Sequence, residues 1–282
     1  MIANSDDDTQ TDPMAAGGGL DQTCLMLVDI GNTQVALATW SDGKRGEAEH
    51  LPVEPFEPVA ERVEQLWHEL LGGIPRAVVV SSVCPPVLEH LERSCQDRGI
   101  EPVLVVGKDI DLPIPADLPE PEKVGTDRLC AAAGAYDKLK TACVVADFGT
   151  ALTVDLVADN NVFLGGTILP GMGLSARALH ENTALLPLVE IGTPTGTLGK
   201  DTASAIRNGI FAMMVGALRE ITERYATEIG KWPPLVLTGG DARAVAGACN
   251  FVDHVMPDLC LDGLLIAYIN AVVQALGKDE ST

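Results

Sequence analysis

Cys24-Leu25-Met26-Leu27-Val28-Asp29-Ile30-Gly31-Asn32-Thr33 is an apolar run that stops at an aspartate, turns at a glycine and adds two small polar residues. Apolar alternation resumes at Val35, Leu37 and Trp40. The pattern predicts a buried strand, a tight hairpin and a second strand. A shorter echo stands at Ala142-Cys143-Val144-Val145-Ala146-Asp147-Phe148-Gly149-Thr150, followed by a β-type run from Ala151 to Val157. Two copies of strand, Asp, any residue, Gly and nearby Thr predict an internal duplication.

Around each hairpin the same order of elements recurs. Strands are expected near 24–30, 33–40 and 48–53, a helix over 55–71, a strand over 77–81, a helix over 85–95 and a strand over 102–106, with a turn at 41–44. The second half repeats the unit with strands near 142–147, 151–157 and 162–168, a helix over 172–183, a long helix over 202–229 and a strand over 234–238. A helix from about 241, a strand near 253–256 and a helix over 259–276 close the chain. Prolines at 113, 115, 119 and 121 mark a loop that lines a site and separates the halves. A helix over 127–140 follows it. The fold class is α/β: two duplicated units, each a mixed β-sheet with helices on both faces, and a site in the cleft between them. Residues 1–22 are expected to be a disordered acidic tail, 23–122 the N-terminal domain and 123–282 the C-terminal domain.

Composition narrows the function. The chain has 282 residues, 46% hydrophobic but only 4% aromatic, so aliphatic side chains must fill the cores. Its 19 Lys and Arg against 40 Asp and Glu leave a net charge of -21, which repels nucleic acid and anionic membranes. Any phosphate bound here must be held by backbone N–H groups, metal ions or a few placed cations. Seven cysteines without a C-x-x-C pair predict reduced, buried thiols in the cytoplasm. No run was expected to be long and apolar enough to cross a membrane. The five histidines show no metal spacing and are expected to be structural or solvated. P-loop, dinucleotide and α/β-hydrolase signatures are missing.

Several stretches carry candidate chemistry. In Asp29-Ile30-Gly31-Asn32-Thr33, the glycine brings backbone N–H groups against a ligand, Asn32 and Thr33 add donors, and Asp29 is placed to hold hydrated Mg²⁺. Alone, such a hairpin could simply satisfy its own backbone. Its echo at Asp147, Gly149 and Thr150 makes a metal and phosphate site across a cleft the better reading. Gly125-Thr126-Asp127-Arg128 opens a helix, where an anion is favoured. Asp127 suits either an N-cap or the acceptor of a substrate hydroxyl proton, and Arg128 suits a carboxylate or phosphate oxygen. Gly165 to Gly171 marks either close approach of a ligand or a tight strand-to-helix turn. Thr238-Gly239-Gly240-Asp241 fits beneath an adenine or ribose, or is a plain turn. Thr202 fits a substrate contact or an N-cap.

The ordered set D-I-G-N-T (29–33), V-G-T-D-R (124–128), D-F-G-T-A (147–151), G-G-T-I-L-P-G (165–171), G-K-D-T (199–202) and T-G-G-D (238–241) resembles the type III pantothenate kinases, relatives of acetate and sugar kinases, Hsp70 and actin. The resemblance covers residues 24 to about 276. It implies two ribonuclease H-like domains, a homodimer, and transfer of the ATP γ-phosphoryl group to the hydroxyl of pantothenate. It implies that Asp127 is the proton acceptor. Gly125, Thr126, Arg128 and Thr202 are then pantothenate contacts. Asp29, Ile30, Gly31, Asn32, Thr33, Thr150, Gly239 and Gly240 fall to ATP. Asp147 falls to a monovalent cation, K⁺ or NH₄⁺, and Mg²⁺ accompanies ATP with Asp29 near it. One departure stands out: Leu118 occupies a position where members often carry a Tyr.

Two other readings compete. One is a non-catalytic regulatory or accessory protein on the same fold; the other is a kinase for a sugar or carboxylate. The presence of Asp29, Asp127 and Asp147 together favours an enzyme, and V-G-T-D-R points away from a sugar kinase.

Overall fold

Both apolar runs that end in aspartate become the central strand of a sheet. The computed structural model describes residues 23–70, 76–194 and 196–279; the tail expected over 1–22 lies outside them. In the first half, β1 (Cys24–Ile30) pairs antiparallel with β2 (Gln34–Ser41) and parallel with β5 (Arg76–Ser82). β6 (Val103–Val105) extends the sheet beyond β5; β3 (Lys44–Arg45) and β4 (Glu49–Pro52) both pair with β2. α1 (Glu57–Glu69) and α2 (Pro85–Asp97) cover one face. α3 (Thr126–Leu139) leads into the second half.

The second sheet repeats this plan. β7 (Cys143–Phe148) pairs antiparallel with β8 (Ala151–Val157), which pairs with β9 (Phe163–Pro170). On its other side β7 lies parallel to β10 (Leu235–Thr238), and β10 to β11 (His254–Val255). α4 (Met172–Glu181), α5 (Thr202–Ile229) and α6 (Ala242–Ala246) belong to this half, and α7 (Leu259–Asp279) ends the described chain. The two sheets thus have the same strand order, and the expected α/β duplication is the fold.

The central strands are continuous apolar runs because both their faces are covered. In β1, Met26 and Val28 pack with Val59, Val63 and Leu66 of α1 and Leu91 of α2. Leu25 and Leu27 face the other way, onto Leu261, Leu264 and Ala267 of α7. In the second sheet Val145 and Val157 pack on Leu129, Ala132 and Ala133 of α3. The two helices between the sheets are therefore crossed over: the helix following each half covers the sheet of the other. They meet closely. A Cβ on Gly134 would lie 2.6 Å from the Leu259 carbonyl oxygen, and a Cβ on Gly263 would collide with the Cys130 backbone.

Local chemistry explains the element ends. α5 starts at a capping box: the Asp201 carboxylate accepts the Ser204 N–H at 2.8 Å, and Ser204 Oγ accepts the Asp201 N–H at 3.2 Å. Asp201, rather than Thr202, is thus the N-cap. Gly230, at φ +71°, ends the helix. The proline-rich loop adds to the edge of β9, with the Phe163 N–H donating to the Pro115 carbonyl and the Asp117 N–H to the Phe163 carbonyl.

The turn expected at 41–44 is in place, with Ser41 and Lys44 paired across it. One other expectation needs correction. Leu259–Gly277, with mean hydropathy 1.8, is long and apolar enough to cross a membrane by length and composition, contrary to the sequence reading. Its first turns are apolar because they are packed against β1, β2 and β5, the burden of a helix between two sheets.

Candidate active site

Asp29 and Asp147 occupy corresponding places, each next to last in its strand and each beside a strand of the parallel pair: Asp29 opposite Ser81, Asp147 opposite Thr238. The turns that follow bring the halves together. Thr33 Oγ1 and Thr150 Oγ1 are 2.8 Å apart, so the two hairpins touch at their tips. Behind them lies a cleft of about 440 Å³ lined by Asp29, Gly31, Asn32, Thr33, Asp127, Asp147, Thr150, Gly239 and Gly240, among others.

The carboxylates in this cleft are poorly solvated. Burial pushes the Asp29 carboxyl up to about 6, with the negative Asp127 adding to the shift and the Cys260 thiol and Ser81 hydroxyl opposing it. Burial, then Asp29 and Asp127, push Asp147 to about 7. Asp127 is raised as well, mainly by burial, while the Arg128 N–H and guanidinium hold it down. One oxygen of Asp29, Oδ1, is enclosed without a hydrogen-bond partner. An orphaned buried oxygen beside a second buried carboxyl fits a cation. Among the described residues no three His, Cys, Asp or Glu side chains gather closely enough to enclose an ion alone. A cation here would complete its shell with phosphate oxygens and water, as Mg²⁺ commonly does.

Asp127 stands in the first turn of α3, and Gly125 is the N-cap. Asp127 Oδ1 accepts the Arg128 N–H at 2.8 Å. A Cβ on Gly125 would collide with that same oxygen, so the glycine makes room for the carboxylate over the helix start. Thr126 is spent on structure: its Oγ1 is 3.0 Å from Ser81 Oγ. On the other side of the cleft Gly239, at φ +87°, lies where a Cβ would strike Asp147 Oδ1 and the Phe148 backbone. Only glycine fits that turn.

Arg128 turns away from Asp127 and grips Asp155 of β8 through Nε and Nη2. Desolvation pushes Asp155 up to about 6 against the pull of Arg128. Gly166 gives this pair its space, since a Cβ there would strike both partners. The Gly165–Gly171 run serves tight packing: Gly166 makes room for this side-chain pair, and Gly171, the strand-to-helix turn into α4, lies where a Cβ would strike the Gly149 and Thr150 backbone. Leu118 packs near Gly165, beside the same pair.

Not every candidate reaches the cleft. Ile30 is fully buried in the first core. Gly125, Thr126 and Arg128 stand behind Asp127. Thr202 lies elsewhere, in an apolar groove of about 800 Å³ between α4 and α5, with Leu179, Leu186, Ile206 and Met213. α4 serves both places: Gly173, Leu174 and Arg177 face the cleft, while Ser175, Ala178, Leu179 and Asn182 line the groove. The cleft also contains residues that local sequence gave no reason to select. His50 lines it and meets Asp258 at 2.9 Å, joining β4 to the start of α7. Cys260 reaches it from the first turn of α7. Their only sequence signal was nearness to element ends.

A family model described as type III pantothenate kinase matches residues 25–224. Proteins named type III pantothenate kinase are similar over most of the chain. The one from Dehalococcoides mccartyi is 34% identical over 254 residues, 86% of this chain and 96% of its own length. Those from Bacillus cytotoxicus (34%; 89% and 98%) and Akkermansia muciniphila (36%; 86% and 97%) agree. A solved structure titled a conserved putative Baf family transcriptional activator, from Campylobacter jejuni, superposes with TM-score 0.55 at 20% identity, covering 87% of this chain and 98% of that one; it shares the fold. By the family match and by these relatives, the chain belongs to the type III pantothenate kinases.

Proposed function

We propose that Asp127 is the proton acceptor as this pantothenate kinase transfers the γ-phosphoryl group of ATP to the primary hydroxyl of pantothenate, the first step toward coenzyme A. One observation carries the reading: Asp29, Asp127 and Asp147, from β1, α3 and β7, line one cleft whose two hairpins meet at Thr33 and Thr150. Phosphoryl transfer asks little covalent chemistry of a protein; it asks for in-line placement and neutralised charge.

In this reading the backbone of 29–33 and the Thr33 and Thr150 hydroxyls hold the ATP phosphates, and Gly239 and Gly240 leave space for the nucleoside. Asp127, its carboxyl raised by burial, accepts the hydroxyl proton as the new O–P bond forms. Arg128 keeps Nη1 outside its pair with Asp155, and that nitrogen is available to the pantothenate carboxylate. Asp29 is the proposed neighbour of Mg²⁺ and Asp147 that of K⁺ or NH₄⁺. Such ions, when bound, neutralise the charge on the transferring phosphoryl group.

Thr202 in its groove suits a homodimer. Leu179 and Met213 in the groove, and Leu185, Leu188 and Leu198 in the segment joining α4 and α5, are exposed apolar side chains that a second copy would cover. Seven unpaired cysteines suit the cytoplasm, and the charge of -21 disfavours nucleic acid and anionic lipid as partners.

The test is ADP release with pantothenate and Mg²⁺, in K⁺ or in Na⁺. Turnover is expected with K⁺ and almost none with Na⁺. Equal rates in the two salts would remove the cation role given to Asp147, and no pantothenate-dependent ADP would remove the substrate.

A further inference from the structure

We infer that Arg177 is the side chain that grips the outer phosphates of the bound nucleotide. The inference rests on the proposed kinase site and adds one positioning residue to it. Among the described residues lining the cleft, Arg177 is the only Lys or Arg. The same lining presents Asp29, Asp127, Asp147, Asp241 and Asp258. A triphosphate entering such a cleft meets a negative field, so a cation in the wall has a large effect on where it settles. Arg128 spends Nε and Nη2 on Asp155 and is not among the residues lining the cleft.

Arg177 has no such commitment. Arg45, Arg62, Arg98 and Arg224 each find a carboxylate. Arg76 and Arg219 lie over aromatic rings. Arg177 makes no hydrogen bond or ion pair to another described residue, in a chain with 40 acidic side chains. Its guanidinium is free for a ligand.

Its placement aims it at the phosphates. α4 follows β9 and starts against the second hairpin: the N–H of its N-cap, Gly171, donates to the Thr150 carbonyl at 3.0 Å. Helical side chains lean toward the helix N-terminus. Arg177 does so, and its Nη1 would be 3.7 Å from a Cβ on Gly173, one turn earlier and nearer that hairpin. Gly173 and Arg177, four residues apart, share the helix face that lines the cleft. A planar guanidinium there can bind two phosphate oxygens at once, which an ammonium cannot.

Calorimetric titration with Mg²⁺ and a non-hydrolysable ATP analogue, alongside AMP, tests the assignment in the full-length protein. Arg177→Ala should bind the analogue ~10- to 100-fold more weakly. AMP binding, which needs no outer phosphate, should be unchanged and serves as the measure of an intact cleft. Arg177→Lys should fall between Ala and wild type. In steady-state kinetics KM for ATP should rise while KM for pantothenate stays. Unchanged analogue binding in Arg177→Ala, or equal loss of analogue and AMP in both variants, overturns the inference; so does a wild type that binds no ATP analogue. A wild type that binds the analogue through Arg177 but releases no ADP with pantothenate removes the proposed substrate and leaves Arg177 standing. An active wild type with an indifferent Arg177 does the reverse.

Discussion

The two halves share a strand order and an aspartate hairpin, and they differ most on the faces that look at each other. By register, Asp29 lies opposite Ala36 in the first sheet and Asp147 opposite Thr153 in the second. Two residues further along, the first sheet has Ala38 and the second has Asp155. Ala38 packs in an apolar layer with Leu25, Leu27 and Trp40 under α7. Asp155 holds the guanidinium that α3 brings across from the first half. The strand ends differ too: β5 runs on into Ser82, while β10 runs into Gly239 and Gly240. Even the helices between the sheets have parted. α3 brings Asp127 to the cleft, and α7 brings Cys260. The common plan sets an aspartate hairpin at each side of the cleft, while the inner faces diverge into an apolar layer in one half and the Arg128–Asp155 pair in the other.

The sharpest break of this comparison is at Asp155. Asp155→Ala would copy the alanine of the first half, yet it should destabilise the protein by about 3–5 kcal/mol, because the guanidinium is left buried and unpaired. Urea denaturation measures it; a cost as small as that of a surface substitution would mean that the pair does not distinguish the halves. Next comes Asp127→Asn. It should fold normally and lose activity by roughly a hundredfold or more, the scale of general-base loss. Full activity would mean that Asp127 is not the proton acceptor.

The smallest expected effect concerns pH. A carboxyl raised in the folded state adds stability while protonated and loses it as pH rises through the folded value. For Asp147 that loss ends near 7, and for Asp29 near 6. In cation-free buffer the melting temperature should therefore fall from about pH 4 to about pH 7. Asp147→Asn should flatten the upper part of that fall and Asp29→Asn the lower part. Identical curves for both variants would make the two hairpins electrostatically equivalent.

Much of this was legible in the sequence, for identifiable reasons. Strands β1 and β7 are apolar on both faces and end at an aspartate before a glycine turn, so both hairpins were visible. α5 carries its own boundary signals, Asp201 and Ser204 at its start and Gly230 at its end, and its bounds came out as expected. What failed to show depends on pairing at a distance. Nothing near Asp155 says that Arg128 will meet it, and Gly166 looks like any strand glycine until that pair is in place. α7 was too apolar for an ordinary surface helix because its neighbours are residues 24–40 and 76–82, far away in sequence. His50 seemed a stray histidine until β4 was laid beside β2. Thr202 reads as part of a motif with Asp127, yet one chain keeps it in the α4–α5 groove.

The way the halves touch has a mechanical consequence. At the α3–α7 crossing, Gly134 and Gly263 bring backbone against backbone, so closely that neither position has room for a Cβ. At the far end only the hydroxyls of Thr33 and Thr150 meet, in an exposed bond that water replaces at a cost of about 1 kcal/mol. The molecule is thus a pair of tongs, riveted at one end and barely closed at the other. A rotation of one half against the other about that crossing would break this single exposed hydroxyl contact at the tips.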